Sequence, residues 1–468
     1  MRGTLRALLR LALRIFFRRV EVTGTGHVPA PGGGPVIFVL NHPNGLIDPA
    51  FMLCLAPRRV SFLAKAPLFR MPVIGWVCRA FEAIPVYRRQ DPGGVTEMVR
   101  NQETFDAARR VLLGGGAIAL FPEGTSHSDP KLRPLKTGAA RIALGAAAAL
   151  PAAAPLSIVP AGLYYRAKQT FRTAALLHFG EPLAVERLPL APGAEPPAEA
   201  VVALTGRLER ALREVTLQAE EETALALVAR AQRIFTAADE VPERPMTLEE
   251  EFELRRRFLE GYRALLERWP ARVAAVGRRI ERYEAALAAA GLDAKHLAPR
   301  SLTARRVAQY ALEGVLVIGL LLPAALVGLV VHYPAYRAVG LVATGIAKGE
   351  MDSLATVKLL AAMLLFPVTW GAAAVVLALR WGPPPAAAAL LLPLTGYAAL
   401  RFAERLDRMR GATRALALFL LRRWAFLRLL AERHAIREEI LVLSREQGLV
   451  DTKQGPGPAT ARRADAQR

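Results

Sequence analysis

The chain has 468 residues, with 62 Lys and Arg against 41 Asp and Glu, giving a formal net charge of +21. Yet 53% of its residues are hydrophobic and 22% charged, and this excludes a disordered basic tail protein. The length suits about two to four domains, while two cysteines, Cys54 and Cys78, exclude a disulfide framework or zinc cluster and fit a reducing compartment.

At the N-terminus Arg2, Arg6, Arg10, Arg14 and Arg18 recur every four residues, between Leu8, Leu9, Leu11, Leu13, Ile15, Phe16 and Phe17. Arg interrupts the apolar run too often for a secretory signal. Residues 1–20 are therefore predicted to be an interfacial amphipathic helix on an anionic phospholipid membrane, with an Arg-capped core helix or a targeting segment as alternatives.

From residue 21 to 187 short apolar runs alternate with stretches at helical spacing. Val36–Leu40, Val60–Leu63, Ile84–Tyr87, Ala117–Phe121 and Ser157–Leu163 read as strands; Val95–Leu113 and Thr137–Leu150 read as helices. This is an α/β layout with a mixed sheet, closed by the Pro-rich Leu188–Glu199. Residues 200–299 read as a soluble all-α region, in which Glu249–Arg257 is a solvated helical face.

Residues 300–410 read as a membrane domain. Gly314–Val331 and Pro383–Leu400 each run 18 residues without a charge, and Leu359–Leu379 runs 21. Each is long enough to cross a hydrocarbon core of about 30 Å. Arg300, Arg305 and Arg306 before the first run, and Arg401, Arg405, Arg408 and Arg410 after the last, place both flanks in the cytosol. Two crossings follow, with Pro383–Leu400 re-entrant or interfacial, and the expected location is the cell membrane with the α/β domain on its cytoplasmic face. Residues 411–450 read as a second amphipathic basic helix and 451–468 as a disordered tail.

Chemistry concentrates at three strand ends. His42 follows the first strand, with Asp48 six residues on. A carboxylate can fix the imidazole tautomer, so that the other ring nitrogen removes a hydroxyl proton. Arg88 ends the strand from Ile84 and suits a phosphate. Phe121-Pro122-Glu123-Gly124-Thr125 ends a third strand, with Glu123 as a hydroxyl acceptor and Gly124 permitting close backbone approach. Strand ends of an open α/β sheet are where ligands bind.

In order, His42…Asp48, Ile84–Arg88, Phe121–Thr125 and Val159-Pro160-Ala161 resemble the four motifs of the glycerolipid acyltransferases of the PlsC-like phosphate acyltransferase superfamily. Leu135–Ala140 and Phe179–Pro182 add to the likeness, which covers residues 20–185. The resemblance implies transfer of a fatty acyl group from a thioester to a glycerol hydroxyl. Catalysis would fall to His42 and Asp48; Arg88, Glu123, Gly124, Thr125 and Lys136 would bind the glycerol phosphate; Pro160 would lie on the donor side. No metal or cofactor is implied; acyl-CoA or acyl carrier protein serves as donor substrate. Five residues separate His42 from Asp48 where four are commoner, and Ser126 stands where a basic residue is frequent. The longer spacing and the later hydrophobic segments resemble the glycerol-3-phosphate and dihydroxyacetone-phosphate acyltransferase branch. They imply sn-1 acylation in phosphatidic acid synthesis.

The alternatives are a lysophosphatidate sn-2 acyltransferase and a non-catalytic scaffold binding anionic lipid. A serine hydrolase is disfavoured because Ser126, His127, Ser128 and Asp129 are consecutive and no Gly-x-Ser-x-Gly occurs. Nucleic-acid binding is not expected, since the basic clusters are interleaved with Leu and Phe and no such motif is present.

Overall fold

The computed structural model describes residues 2–87, 97–151, 154–168, 170–191, 194–238, 246–293, 304–347 and 351–446. In chain order its amino-terminal part contains α1 (Arg2–Phe16), β1 (Arg19–Thr23), β2 (Val36–Leu40), α2 (Ile47–Leu55), β3 (Ser61–Lys65), α3 (Pro72–Ala80) and β4 (Ile84–Val86). Then come α4 (Glu97–Leu113), β5 (Ala117–Leu120), α5 (Gly138–Ala149), β6 (Ser157–Tyr165), β7 (Ala174–Phe179), β8 (Leu183–Ala184) and α6 (Ala198–Glu214). The remainder is helical: α7 (Glu222–Ala238), α8 (Leu248–Arg268), α9 (Pro270–Ala289), α10 (Ala304–Ala347), α11 (Met351–Trp381), α12 (Pro383–Ala386), α13 (Leu392–Leu421) and α14 (Arg423–Glu446).

The sheet runs β1-β7-β6-β2-β5-β3-β4, with β8 on β6. β6, β2, β5, β3 and β4 are parallel, whereas β7 runs antiparallel to β6, which makes the sheet mixed as expected. All five residues of β2 are buried, because it lies between β5 and β6 with helices on both faces. Strand alternation then sorts the core. Val36, Phe38 and Leu40 pack with α1 and α2, while Ile37 and Val39 pack with α4, α5 and α6. The short β1, β7 and β8 carried no run the sequence reading had marked.

The described residues fall into two compact units, one drawn from Met1–Glu220, Thr247–Phe252 and Val330–Leu392, the other from Glu221–Met246, Glu253–Leu329 and Pro393–Arg468. This cuts across the expected 200–299 region. Val201, Leu204, Leu208 and Leu212 of α6 belong to the core of the first unit, because its apolar stripe has the sheet to cover. Leu248 and Phe252, at the start of α8, pack on Tyr164, Ala174 and Leu176 of that unit. The same turn is closed by a capping box: Thr247 N–H donates to Glu250 Oε2 at 2.8 Å and Glu250 N–H to Thr247 Oγ1 at 3.1 Å. Within the supposedly solvated stretch Glu251 binds Arg166 in the first unit, and Arg255 is buried on Gln232 in the second.

Two basic segments differ from the reading as lipid-facing helices. Arg6 and Arg10 of α1 donate to the carbonyls of Cys54 and Ala56 at the end of α2, and Arg2 donates to Val60 O and Glu82. The last carbonyls of a helix lack intrahelical donors, and these guanidinium groups supply them. The exposed part of α1 includes Leu8, Leu11, Arg14 and Ile15. Residues 411–450 do not form one surface helix either. The chain breaks between α13 and α14, and Phe426, Ile436 and Leu443 of α14 share a core with Ile234 of α7 and Val276, Ile280, Tyr283 and Leu287 of α9. Arg279 of α9 pairs with Glu432 and Glu439, which holds the Glu432 carboxyl below its ordinary pKa.

Three helical stretches are long and apolar enough to cross a membrane: Gly319–Ile346, Leu354–Trp381 and Pro383–Asp407. The third contains α12, a 3-10 turn at Ala387–Leu391 and the start of α13.

Candidate active site

β2 and β5 are parallel neighbours, so their carboxyl ends lie side by side. One delivers His42 and the other Glu123. The loop after β2 turns through Gly45, whose φ is +39°, and enters α2 with Asp48 in the first turn, where a carboxylate also suits the helix dipole. Asp48 is fully buried and Oδ2 accepts from His42 Nδ1 at 2.9 Å and from Asn44 N–H at 2.7 Å. Its other oxygen, Oδ1, accepts the Tyr165 hydroxyl at 2.7 Å. The five-residue spacing between His42 and Asp48 is thus absorbed by a turn that Asp48 itself closes onto Asn44.

The His42 ring stacks on Phe121, with centroids 3.7 Å apart and planes 2° apart. Its side chain is 12% exposed and lies on the wall of a cavity of about 710 Å³. With Nδ1–H given to Asp48, Nε2 is left with a lone pair facing that cavity and makes no hydrogen bond among the described residues. An imidazole so held can take a proton from a hydroxyl.

Elsewhere the cavity wall is mostly apolar, with Leu46, Leu53, Phe62, Val77 and Leu120 from the catalytic domain. Thr356, Leu359, Leu360 and Met363 from the amino-terminal part of α11 also line it. Thr356 Oγ1 accepts the Leu46 N–H at 3.0 Å, and Ala355 is buried in the same core as β2. Polar side chains on the wall include His42, Lys65, Asn101, Thr104, Ser126 and Lys136.

Glu123 departs from its expected part. It is buried, and Oε1 accepts the His42 N–H at 3.1 Å. Oε2 accepts the Arg133 N–H at 2.9 Å and a short hydrogen bond from His127 Nε2. A carboxylate filled in this way holds two loops together and is not presented to a substrate hydroxyl. Gly124, at φ +77°, does line the cavity, and a Cβ there would come within 2.7 Å of Lys136 Nζ. Glycine therefore lets the lysine lie across the loop.

Lys136 is exposed, with its backbone N–H on Pro122 O at 2.8 Å. Thr125 is half-buried, does not line the cavity, and its hydroxyl donates to Ser126 O at 3.4 Å. Pro160 is also displaced from its expected role: it is buried within β6, paired with Val39, and is not part of the cavity wall. Arg88 lies outside the described residues. Cys54 is a core residue, its thiol raised by burial to about 11. No group of His, Cys, Asp and Glu able to hold a metal occurs among the described residues.

Sequence reasoning missed Tyr165, His127, Asn44 and Thr356. Only Tyr165 carried a signal: strand alternation from Val159 and Ala161 puts it on the α2 face of the sheet.

Residues 19–164 match the acyltransferase family model, and residues 228–448 match the glycerol-3-phosphate acyltransferase 2 C-terminal domain. The chain is 25% identical to an uncharacterized acyltransferase of Schizosaccharomyces pombe, over 85% of this chain and 73% of that protein. It is 34% identical to glycerol-3-phosphate O-acyltransferase 2 of Saccharomyces cerevisiae over 36% of this chain and 22% of that protein. With glycerol-3-phosphate O-acyltransferase 1 of the same yeast the identity is 26%, over 58% and 46%. The chain thus spans less than half the length of either yeast glycerol-3-phosphate O-acyltransferase. Fold, His–Asp geometry and family match together support an O-acyltransferase with a PlsC-like domain. The C-terminal match and the yeast relatives support its place in the glycerol-3-phosphate acyltransferase branch of that superfamily.

Proposed function

We propose that the protein transfers a fatty acyl group from an acyl thioester, acyl-CoA or acyl carrier protein, to the sn-1 hydroxyl of glycerol 3-phosphate or dihydroxyacetone phosphate at a membrane. The observation that carries this reading is the His42 imidazole, held by Asp48 through Nδ1 on the wall of a mostly apolar cavity. A mostly apolar cavity of about 710 Å³ suits a fatty chain, and the lysines on its wall suit a small hydroxylated phosphate. Lys136, Lys65 and Gly124 line the wall the acceptor would meet, with Arg88 as a further phosphate ligand.

In the reaction, His42 takes the hydroxyl proton as that oxygen attacks the thioester carbonyl. The new C–O bond forms, the C–S bond breaks, and the thiolate leaves with the proton from His42. No acyl-enzyme is required, because the thioester is already activated.

Membrane residence is supported by α11, which supplies both the second membrane-length stretch and part of the cavity wall. We place the protein in the cell membrane with its catalytic domain on the cytoplasmic face, where a thioester donor is available and the lipid product is retained. Anionic lipid would meet the exposed Leu8, Leu11, Arg14 and Ile15 of α1 rather than the inward-turned Arg6 and Arg10. The test is an acyl-transfer assay with glycerol 3-phosphate, dihydroxyacetone phosphate and lysophosphatidate, each with acyl-CoA and acyl carrier protein. Preference for lysophosphatidate would overturn the acceptor assignment, and failure with every pair would overturn the enzyme.

A further inference from the structure

Asp48 receives three hydrogen bonds from three separate places in the chain: the His42 ring, the Asn44 backbone and the Tyr165 hydroxyl. The first two arise within the motif itself. The third comes from the end of β6, 117 residues away in sequence, and has no counterpart in the roles set out above.

Tyr165 is built to hold this bond. Its ring lies 5.7 Å from the Phe17 ring, tilted by 30°, and 5.8 Å from the Phe51 ring, nearly perpendicular at 82°. Removal from water, then the Asp48 charge and hydrogen bond, hold its pKa well above the ordinary tyrosine value. The hydroxyl therefore keeps its proton throughout the working range, and toward a carboxylate it can only donate. Tyr165 does not line the cavity, so it acts without touching substrate.

We propose that Tyr165 is a positioning residue, which sets both the orientation and the basicity of the His42–Asp48 pair through its hydrogen bond to Asp48 Oδ1. The inference rests on the acyl-transfer reading only where activity is the readout. A bond to Oδ1 stops the carboxylate from rotating and aims Oδ2 at His42 Nδ1. It also draws negative charge away from Oδ2. Without it, Asp48 would stabilise the imidazolium more strongly and His42 would titrate at higher pH. The enzyme needs the neutral imidazole, so the cost appears on the acid side of the pH profile.

The other titratable or charged groups around the pair make no hydrogen bond to Tyr165 among the described residues. Glu123 accepts the His42 N–H, and His127 donates its backbone N–H to His42 O while its ring binds Glu123. Beyond His127 lie Asp129 and Arg133, paired with each other, and Lys65 and Lys136 line the cavity.

The test is Tyr165→Phe in the full chain, which keeps the ring and removes only the oxygen. We expect kcat to fall about 10- to 100-fold, as for a hydrogen bond to a charged group, with KM for both substrates within about twofold. The acid limb of kcat/KM should move to higher pH. In parallel, the rate at which diethyl pyrocarbonate modifies His42, mapped by mass spectrometry across pH, should show the same upward shift with no substrate present. Unmoved midpoints in both profiles would overturn the proposal, even if kcat fell, because lost packing alone does not alter the imidazole's basicity. If the modification midpoint moves while the wild type acylates nothing, the acyltransferase reading fails and the Tyr165 assignment stands.

Discussion

Two histidine–carboxylate pairs stand at neighbouring strand ends, and they do different work. His42 with Asp48 follows β2; His127 with Glu123 follows β5. In the first pair the carboxylate is buried and the imidazole reaches the cavity, leaving one ring nitrogen unengaged. In the second both partners are buried and both ring nitrogens are used, since His127 Nδ1 accepts the Asp129 N–H at 3.2 Å while Nε2 meets Glu123. What separates a candidate base from a brace is the fate of the second nitrogen. The brace serves the base directly, because Glu123 accepts the His42 N–H and His127 donates to the His42 carbonyl.

Substitution should pull this contrast apart. The largest effect on rate is expected for His42→Ala: a fall of about 10²- to 10⁴-fold in kcat, with the melting temperature and membrane binding of the wild type. Glu123→Ala should behave in the opposite way. It strips acceptors from the His42 and Arg133 amides and from His127, and buried unpaired donors cost about 1–3 kcal/mol each. A clear drop in the thermal unfolding midpoint should therefore accompany its loss of activity. If Glu123→Ala instead keeps full stability and raises only the acceptor KM, Glu123 is a substrate ligand and the contrast is wrong.

A smaller effect is expected for Thr356→Val, which removes the acceptor of the Leu46 N–H. One hydrogen bond is worth about 1 kcal/mol, or about a fivefold loss in kcat/KM. An unchanged rate would show that α11 closes the cavity without bracing the His42 loop.

The effect that is slightest near neutral pH concerns Cys54. Burial raises the Cys54 thiol from 9.0 to about 11, so between those values the folded chain keeps a proton that the unfolded chain releases. The Cys54 contribution to stability should be full below pH 9 and decline by about 1.4 kcal/mol per pH unit between pH 9 and about 11. Cys54→Ala should flatten that decline in a pH series of denaturant unfolding.

Legibility from sequence followed the range of the interactions. Five consecutive apolar residues marked β2, and its end placed His42 at the edge of the sheet. Asp48, six residues on, could be paired with it by local spacing alone. Tyr165 and Thr356 reach the same loop from 117 and 310 residues away from their partners, and no local pattern encodes such a meeting. The arginine stripe of α1 was legible as a stripe, but its direction was not. Whether a guanidinium faces lipid phosphate or a helix-end carbonyl depends on α2, which the periodicity of α1 does not contain. Glu123 was misplaced for a related reason, since a carboxylate's availability depends on how many donors surround it in space.

The central claim is that His42 is the base of an O-acyltransferase acting on glycerol phosphate. It is tested most directly by transfer of a labelled acyl group from acyl-CoA and acyl carrier protein to glycerol 3-phosphate, comparing wild type with His42→Ala in the same membranes. The account predicts labelled monoacylglycerol phosphate from the wild type and a loss of at least about 10²-fold in the variant. Equal transfer by both proteins would contradict it.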